Sequence, residues 1–197
     1  MARWSRETAF DDIIATEASA QGVPPELVKA VIGQESAFVP TAKRFEPKLN
    51  DASYGLMQVL YRTAQALGYT GPAEGLLDPA TSIHYGTMFL AQNLNVTNGD
   101  IARAVSAYNG GFRRELGYGF PLPNGQFRNQ DYVNHVLLNL RYFRAQAAAP
   151  PSAATGGGAT AASATASLIS GSAPKYALLA AAIAAILWVL RKLTGGH

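Results

Sequence analysis

The chain has no cysteine, which excludes disulfides, zinc–thiolate sites and thiol catalysis. Its histidines are His84, His135 and His197, with no HExxH or comparable ligand spacing among them, so no metal and no other cofactor is expected. Charge is also sparse in pattern: 16 basic residues stand against 13 acidic ones for a formal net charge of +3. The cations are dispersed rather than gathered into a run, so nucleic acid is not expected as a partner, while a weakly basic surface suits another anionic polymer. The first 22 residues, MARWSRETAFDDIIATEASAQG, lack the apolar core and cleavage site of a secretory signal. No alternating strand pattern of convincing length occurs anywhere, and the folded region is expected to be all-α or nearly so.

What is present is a series of helical stripes. Residues 5–21 read as a first helix with Phe10, Ile13 and Ile14 inward, and residues 25–38 as a second, the two separated by Gly22 and the Pro24-Pro25 pair. In the second helix Leu27, Val28, Val31 and Ile32 share one face, and Glu35 continues that face. Pro40 stops the helix soon afterwards, placing Glu35 near a helix C-terminus. Desolvation and the negative end of the macrodipole both disfavour a charged carboxylate there, so the side chain is expected to hold its proton near neutrality, as a general acid must. The bland alternative is a glutamate at the edge of a core helix with its head in water.

Beyond Glu35 comes a charged loop, PTAKRFEPKLNDAS, from Pro40 to Ser53. Gly55 to Tyr69 reads as a helix. Asp78-Pro79 opens another that runs to about Leu94 on the stripe Ile83, Leu90 and Leu94. Asp100 caps a shorter one that ends at Asn109-Gly110-Gly111. Residues 112–128 are rich in Gly, Pro and aromatics, with a tight turn at Asn124-Gly125. Gln130 to Gln146 forms the last helix of the domain, with Val133, Val136, Leu137 and Leu140 inward.

The composition then changes. Residues 147–174 are small, uncharged and low in complexity, as a flexible linker is. Residues 175–193, KYALLAAAIAAILWVLRKL, read as one short membrane span. The 15 uncharged residues from Tyr176 to Leu190 would reach roughly 22 Å as a helix against a hydrocarbon core of ~30 Å. Tyr176 and Trp188 supply interfacial aromatics, and Lys175, Arg191 and Lys192 supply snorkelling cations. The charge bias places the C-terminus in the cytoplasm and the folded domain outside; the alternative is an apolar helix that is buried or oligomerises.

Four short patterns follow Glu35 in order: Glu35-Ser36-Ala37-Phe38, Gly55-Leu56-Met57-Gln58 with Thr63-Ala64, Ala107-Tyr108-Asn109-Gly110-Gly111, and Tyr132-Val133. Together they resemble the soluble-lytic-transglycosylase-like family, glycoside hydrolase family 23, over roughly residues 10–146. The resemblance implies a lysozyme-like helical domain, residues 1–146, that cleaves the β-1,4 bond between N-acetylmuramic acid and N-acetylglucosamine in peptidoglycan. In that family the muramic acid C6 hydroxyl attacks C1 and leaves a 1,6-anhydro end without hydrolysis. It also implies roles. Glu35 matches the catalytic acid that later serves as base, and Ser36 its neighbour in the motif. Gln58 and Asn109 match amides that hold the glycan, Met57 and Tyr108 match cleft-lining residues, and Tyr132 matches a tyrosine that orients the glutamate. For each of these side chains alone, core packing, a helix cap or a solvent-facing position is the plainer reading.

Chemistry fits this set. A site with one firm carboxylate needs its nucleophile from elsewhere, and a hydroxyl placed by the sugar supplies it. The sequence also departs from the family: the segment from Phe38 to Gly55 is longer and more charged, Arg44 stands where some relatives carry a hydroxyl that Ser53 could replace, and a proline is missing at Leu60-Tyr61-Arg62. If Asp51 reaches the cleft as a second acid and holds a water, the enzyme is a hydrolysing, goose-lysozyme-like muramidase; a glycan-binding envelope or virion protein without activity is the third reading. A wall-degrading domain with a C-terminal span and no export signal suggests a phage virion protein, in contact with other virion proteins, that opens the host wall as the genome passes in. A tail-anchored enzyme of the bacterial envelope is the alternative.

Overall fold

Pro24 and Pro25 bring the chain into α2 (Pro25–Glu35) with Pro25 in the first turn, where a missing N–H leaves nothing unsatisfied. The computed structural model describes residues 2–149. The predicted apolar helix at 175–193, and all of the predicted linker past Ala149, lie outside the described residues.

Leu27, Val28, Ala30, Val31 and Ile32 of α2 are all fully buried. A helix so apolar belongs at the centre of a domain, and each buried aliphatic side chain contributes roughly 1.5–3 kcal/mol of burial free energy. Around it lie α1 (Asp11–Gln21), a short α3 (Tyr61–Ala66), α4 (Pro79–Val96), α5 (Ile101–Gly110) and α6 (Gln130–Ala148). Helix α2 packs most extensively on α6 and also on α1, α4 packs on α1 and α5, and α5 returns to α6. The expected punctuation is in place. Asp78 accepts from the Thr81 N–H at 2.9 Å and Asp100 from the Arg103 N–H at 3.1 Å, and Gly22 closes α1 in the left-handed conformation. Among the described residues no helix is long and apolar enough to cross a membrane.

Three helix boundaries and one element type differ from the sequence reading. Helix α1 starts at Asp11, not at residue 5, because the Glu7 carboxylate accepts the backbone N–H groups of Arg3 and Trp4 at 2.8 and 3.1 Å and offers this segment a competing structure. Helix α2 stops at Glu35, since Ala37 and Phe38 turn into the left-handed region at φ 50° and 62°. At the far end α6 continues past Gln146 to Ala148. The domain is largely helical, as expected, and the largest correction concerns the predicted helix from Gly55 to Tyr69, of which only Tyr61–Ala66 is helical. A three-stranded antiparallel sheet occupies this region, formed by β1 (Lys43–Glu46), β2 (Asp51–Tyr54) and β3 (Val59–Leu60).

These strands are invisible as a period-two pattern because β1 is largely exposed on both faces while β2 is largely buried on both. Lys43 pairs with Tyr54 and Glu46 with Asp51, and Tyr54 pairs in turn with Val59. The Gly55–Gln58 segment is the turn between β2 and β3, with the Gln58 N–H donating to the Gly55 carbonyl at 3.2 Å. Gly55 has φ +72°, and a Cβ there would lie 2.2 Å from the Leu76 carbonyl oxygen. No helix can run through that position.

Candidate active site

Glu35 ends α2 directly beside a cavity of about 230 Å³. The cavity is lined by Glu35, Arg44, Glu46, Leu49, Ser53, Gln58, Val59, Leu60, Thr63, Phe89, Tyr108 and Asn109. One wall is therefore the helical core and the other is the small sheet that the sequence did not reveal.

The carboxyl of Glu35 is drawn into this junction. Tyr132, on the first turn of α6, donates its hydroxyl to Glu35 Oε1 at 2.5 Å. Burial pushes the Glu35 pKa up to about 7, and burial prevails over the Tyr132 hydrogen bond and the Arg44 charge, which lower it, with Glu46 adding a smaller push upward. Burial, together with the Glu35 charge, also holds the Tyr132 phenol well above its ordinary range, so it stays a donor. The pair thus presents a protonatable acid whose direction is fixed by a phenol 97 residues away.

Behind the acid, several motif residues act as braces. The Ser36 hydroxyl donates to the Leu56 carbonyl at 2.7 Å and lies 3.3 Å from the Ile32 carbonyl, tying the end of α2 to the turn at residues 55–58. Met57 is fully buried and packs on Gly86, where even a Cβ would sit 2.4 Å from its sulfur. Its backbone carbonyl receives the buried Tyr108 hydroxyl at 2.9 Å, and the Tyr108 ring lies 5.1 Å from Phe89. Ser36 and Met57 are absent from the cavity lining, whereas Gln58, Tyr108 and Asn109 belong to it.

Gln58 adopts φ 47° and its amide nitrogen donates to the carbonyls of Ala42 and Gly55 at 3.0 and 2.9 Å. These bonds hold a residue in a costly conformation, of order 1–3 kcal/mol, at the cavity wall. Asn109 is exposed at the end of α5, and its side-chain oxygen accepts from Asn129 at 3.0 Å. Asp51 stands elsewhere. It is not part of the lining; its Oδ2 accepts the Arg62 N–H at 3.1 Å at the start of α3, and its Oδ1 accepts the Ala52 N–H at 2.7 Å.

The carboxylate that does share the cavity is Glu46, bound by Arg44 at 2.7 Å. Its role was not legible in the sequence, because in a charged loop nothing separates Glu46 from its neighbours until β1 aligns it. Phe89 was missed for the opposite reason: beside the stripe Ile83, Leu90 and Leu94 it reads as plain core. Asn129 was missed as well, although a polar residue before a helix is a signal; it makes no cap bond and serves Ser106 and Asn109 instead. Ser53 is buried and lines the cavity, as its suggested role requires.

The domain is helical, with a half-buried acid at a helix end facing a cleft closed by a small sheet, and its similarity to known proteins places it among the lysozyme-like transglycosylase domains. The Transglycosylase SLT domain model matches residues 12–118, and the chain belongs to that family. It is 36% identical over 105 residues to "Peptidoglycan transglycosylase gp16" of Escherichia phage T7, covering 52% of this chain and 8% of that protein. To the "Soluble lytic murein transglycosylase" of Escherichia coli (strain K12) it is 31% identical over 110 residues, covering 52% of this chain and 16% of that one. The 70-kDa soluble lytic transglycosylase in complex with bulgecin A superposes with a TM-score of 0.59 at 27% identity over 76% of this chain and 27% of the other. The crystal structure of that enzyme from Escherichia coli gives 0.58 at 25% identity, over 71% and 24% of the two chains. The chain thus spans well under a third of the length of each of these relatives. The matched family segment ends at residue 118, so Tyr132 contributes to the site from beyond it.

Proposed function

We propose that this chain is a peptidoglycan lytic transglycosylase that cleaves the β-1,4 bond between N-acetylmuramic acid and N-acetylglucosamine and leaves 1,6-anhydro ends. The observation that carries the reading is the acid of Glu35, raised to about 7 and aimed by Tyr132 into the cleft. Protonated Glu35 donates to the glycosidic oxygen as the bond to C1 breaks. The resulting carboxylate accepts the proton of the C6 hydroxyl as that oxygen closes on C1, so one group completes both proton transfers. Gln58, Asn109 and Ser53 offer polar contacts to sugar hydroxyls and acetamido groups, and Tyr108 with Phe89 supplies aromatic surface. Ser36 and Met57 act by holding the turn that carries Gln58.

Two placements favour the internal nucleophile over water: Asp51 is committed to backbone N–H groups, and Glu46 is tied to Arg44. Glu46 is nonetheless a second carboxylate in the cavity, the one observation that favours the hydrolysing muramidase. Mass spectrometry of digested peptidoglycan separates the readings. Anhydromuramic ends are expected from the wild type, with none from Glu35→Gln; reducing ends would mean hydrolysis, and no products from the wild type would leave a glycan-binding protein.

The similarity to a phage T7 protein supports a phage role, local opening of the host wall as the genome passes in, with the enzyme carried in the virion and held at the membrane by residues 175–193. Detection of the chain in purified particles, and its loss from the membrane fraction when 175–193 are deleted, are the expected results.

A further inference from the structure

Gln58 and Asn109 both line the cavity, and their hydrogen bonds give them opposite polarities. Gln58 Nε2 spends both its protons on the Ala42 and Gly55 carbonyls, so toward a ligand Gln58 is an acceptor. Asn109 is the converse. Its Oδ1 accepts from Asn129 Nδ2 at 3.0 Å, while its own Nδ2 makes no hydrogen bond among the described residues. A carboxamide exchanges donor for acceptor simply by turning over, so what holds Asn109 in this sense decides which ligand group it can meet.

The sense is traceable to two backbone groups whose roles cannot be exchanged. The Gly119 N–H can only donate, and Ser106 Oγ accepts it at 2.9 Å. The single proton of that hydroxyl then goes to Asn129 Oδ1 at 2.7 Å. The Ser106 carbonyl can only accept, and Asn129 Nδ2 donates to it at 3.0 Å. Asn129 is thereby fixed at both ends of its amide, and its remaining N–H meets Asn109, which must answer with oxygen. Because Ser106 is buried, turning Asn129 over would set acceptor against acceptor out of reach of water. The frame is stiff as well: Gly119 holds the left-handed conformation at φ +67°, and the Tyr118 ring fills the space where a Cβ of Gly110 would lie. Asn129 immediately precedes α6, whose first turn carries Tyr132 and so the aim of Glu35. Gly119 and Asn129 both lie beyond the matched family segment, which ends at residue 118.

We propose that Ser106 and Asn129 are positioning residues that lock Asn109 as a donor toward the cleft, so that it selects a ligand group with an accepting carbonyl oxygen, the acetamido C=O of an N-acetylated sugar. This rests on the reading of the chain as a peptidoglycan transglycosylase and adds to it the residues that set the sense of one sugar contact. Neither Ser106 nor Asn129 is part of the cavity lining; both act through Asn109.

The test is calorimetric titration of the full chain carrying Glu35→Gln with chitohexaose and with cellohexaose, which is equally uncharged but bears hydroxyls in place of the acetamido groups. Chitohexaose should bind about 10-fold more tightly, the worth of one well-made hydrogen bond. Adding Asn129→Leu, which keeps the volume and removes the amide, should bring the ratio to about 3 or below, as that bond is lost. Asn129→Ala is carried alongside with the same expectation, in case leucine does not fold. Asn109→Asp, which keeps the bond from Asn129 but offers the cleft only an acceptor, should lower the ratio as far. Ser106→Ala should lower it less, because the Ser106 carbonyl still holds Asn129. Asn129→Leu combined with Asn109→Asp should be no worse than either alone, as expected of residues acting through one contact. The proposal is overturned if the two sugars bind equally to begin with, or if the Asn129 variants leave the ratio intact. It is equally overturned if those variants weaken both sugars alike, as a merely structural role would, or if the effects of Asn129→Leu and Asn109→Asp on the ratio multiply. Cleavage of peptidoglycan by the chain with Glu35 intact is assayed separately; its failure alongside an Asn129-dependent ratio would sink the transglycosylase reading and leave the lock on Asn109 standing.

Discussion

The Tyr132 hydroxyl meets Glu35 Oε1 at 2.5 Å and so couples the first turn of α6 to the last residue of α2. This bond stabilises the carboxylate, yet the Glu35 pKa is still raised, because burial costs the charged form more than the bond returns. Tyr132→Phe removes a lowering influence. The alkaline limb of glycan cleavage, expected near pH 7 from Glu35, should move to higher pH. The rate should also fall roughly 10- to 100-fold as the acid loses its orientation. A pH–rate profile of both proteins checks the direction.

Glu35→Gln should abolish cleavage and also stabilise the fold at alkaline pH. With a folded pKa of about 7 against an ordinary 4.5, the native state holds more protons than the unfolded state between those values. Wild-type stability therefore falls as pH rises through that window. The loss amounts to about 3 kcal/mol at most by linkage. Glutamine has no such term, so urea denaturation at pH 5 and pH 8 should show the variant gaining on the wild type at the higher pH; equal pH dependence of the two would refute the burial argument.

Arg44 and Glu46 act on Glu35 with opposite signs, the first lowering and the second raising its pKa. Arg44→Gln should shift the alkaline limb upward and Glu46→Gln downward. Each shift should be smaller than the one in Tyr132→Phe, since both groups act through space. If Glu46 serves instead to hold a water, Arg44→Gln should raise the share of reducing ends among the products, a second readout of the same digest.

Gly55→Ala tests the turn beneath Gln58. The new methyl would lie 2.2 Å from the Leu76 carbonyl oxygen and 2.6 Å from Ser82 Oγ, at a φ of +72°. Backbone strain and overpacking together should cost about 2–4 kcal/mol, seen as a lowered melting temperature. Ser36→Ala, which removes the hydroxyl shared between the Leu56 and Ile32 carbonyls, should cost about 1 kcal/mol by the same measure.

The N-terminal segment offers a stability prediction remote from the cleft. Glu7 is buried and accepts from the Arg3 and Trp4 N–H groups, the Tyr142 hydroxyl and Gln146 Nε2. Burial raises its pKa, but these hydrogen bonds outweigh burial and hold it below the ordinary 4.5. A depressed carboxylate contributes stability that is present above that value and lost as pH falls below it. Glu7→Ala should therefore destabilise the protein by about 2–3 kcal/mol at neutral pH, with the difference from wild type shrinking in acid. Because Trp4 stacks on Phe143 and lies 5.5 Å from Phe38, cleavage should decline along with stability as the chain just after Glu35 loosens.

Much of this protein is written locally. The stripe Leu27, Val28, Val31, Ile32 with Glu35 at its end fixes a buried helix and an acid at its C-terminus, because a 3.6-residue period needs no partner to be read. Asp78, Asp100 and Gly22 fix helix ends because a cap is satisfied within a few residues of itself. Of the motif residues, Glu35, Gln58, Tyr108 and Asn109 line the cavity, whereas Ser36, Met57 and Tyr132 do not. What only the tertiary structure decided are matters of direction and pairing. Short strands with both faces exposed or both buried carry no alternation, so the sheet that forms the second wall, and Glu46 with it, appears only when β1 finds β2. Asp51 and Glu46 are chemically alike and five residues apart in one loop; antiparallel pairing sets them opposite each other, and one carboxylate is turned to α3 while the other lines the cleft. Glu35 itself is an acid by sequence, but its proton is held near neutral pH by burial and its aim by Tyr132, and both are properties of the packed domain rather than of the helix that carries it.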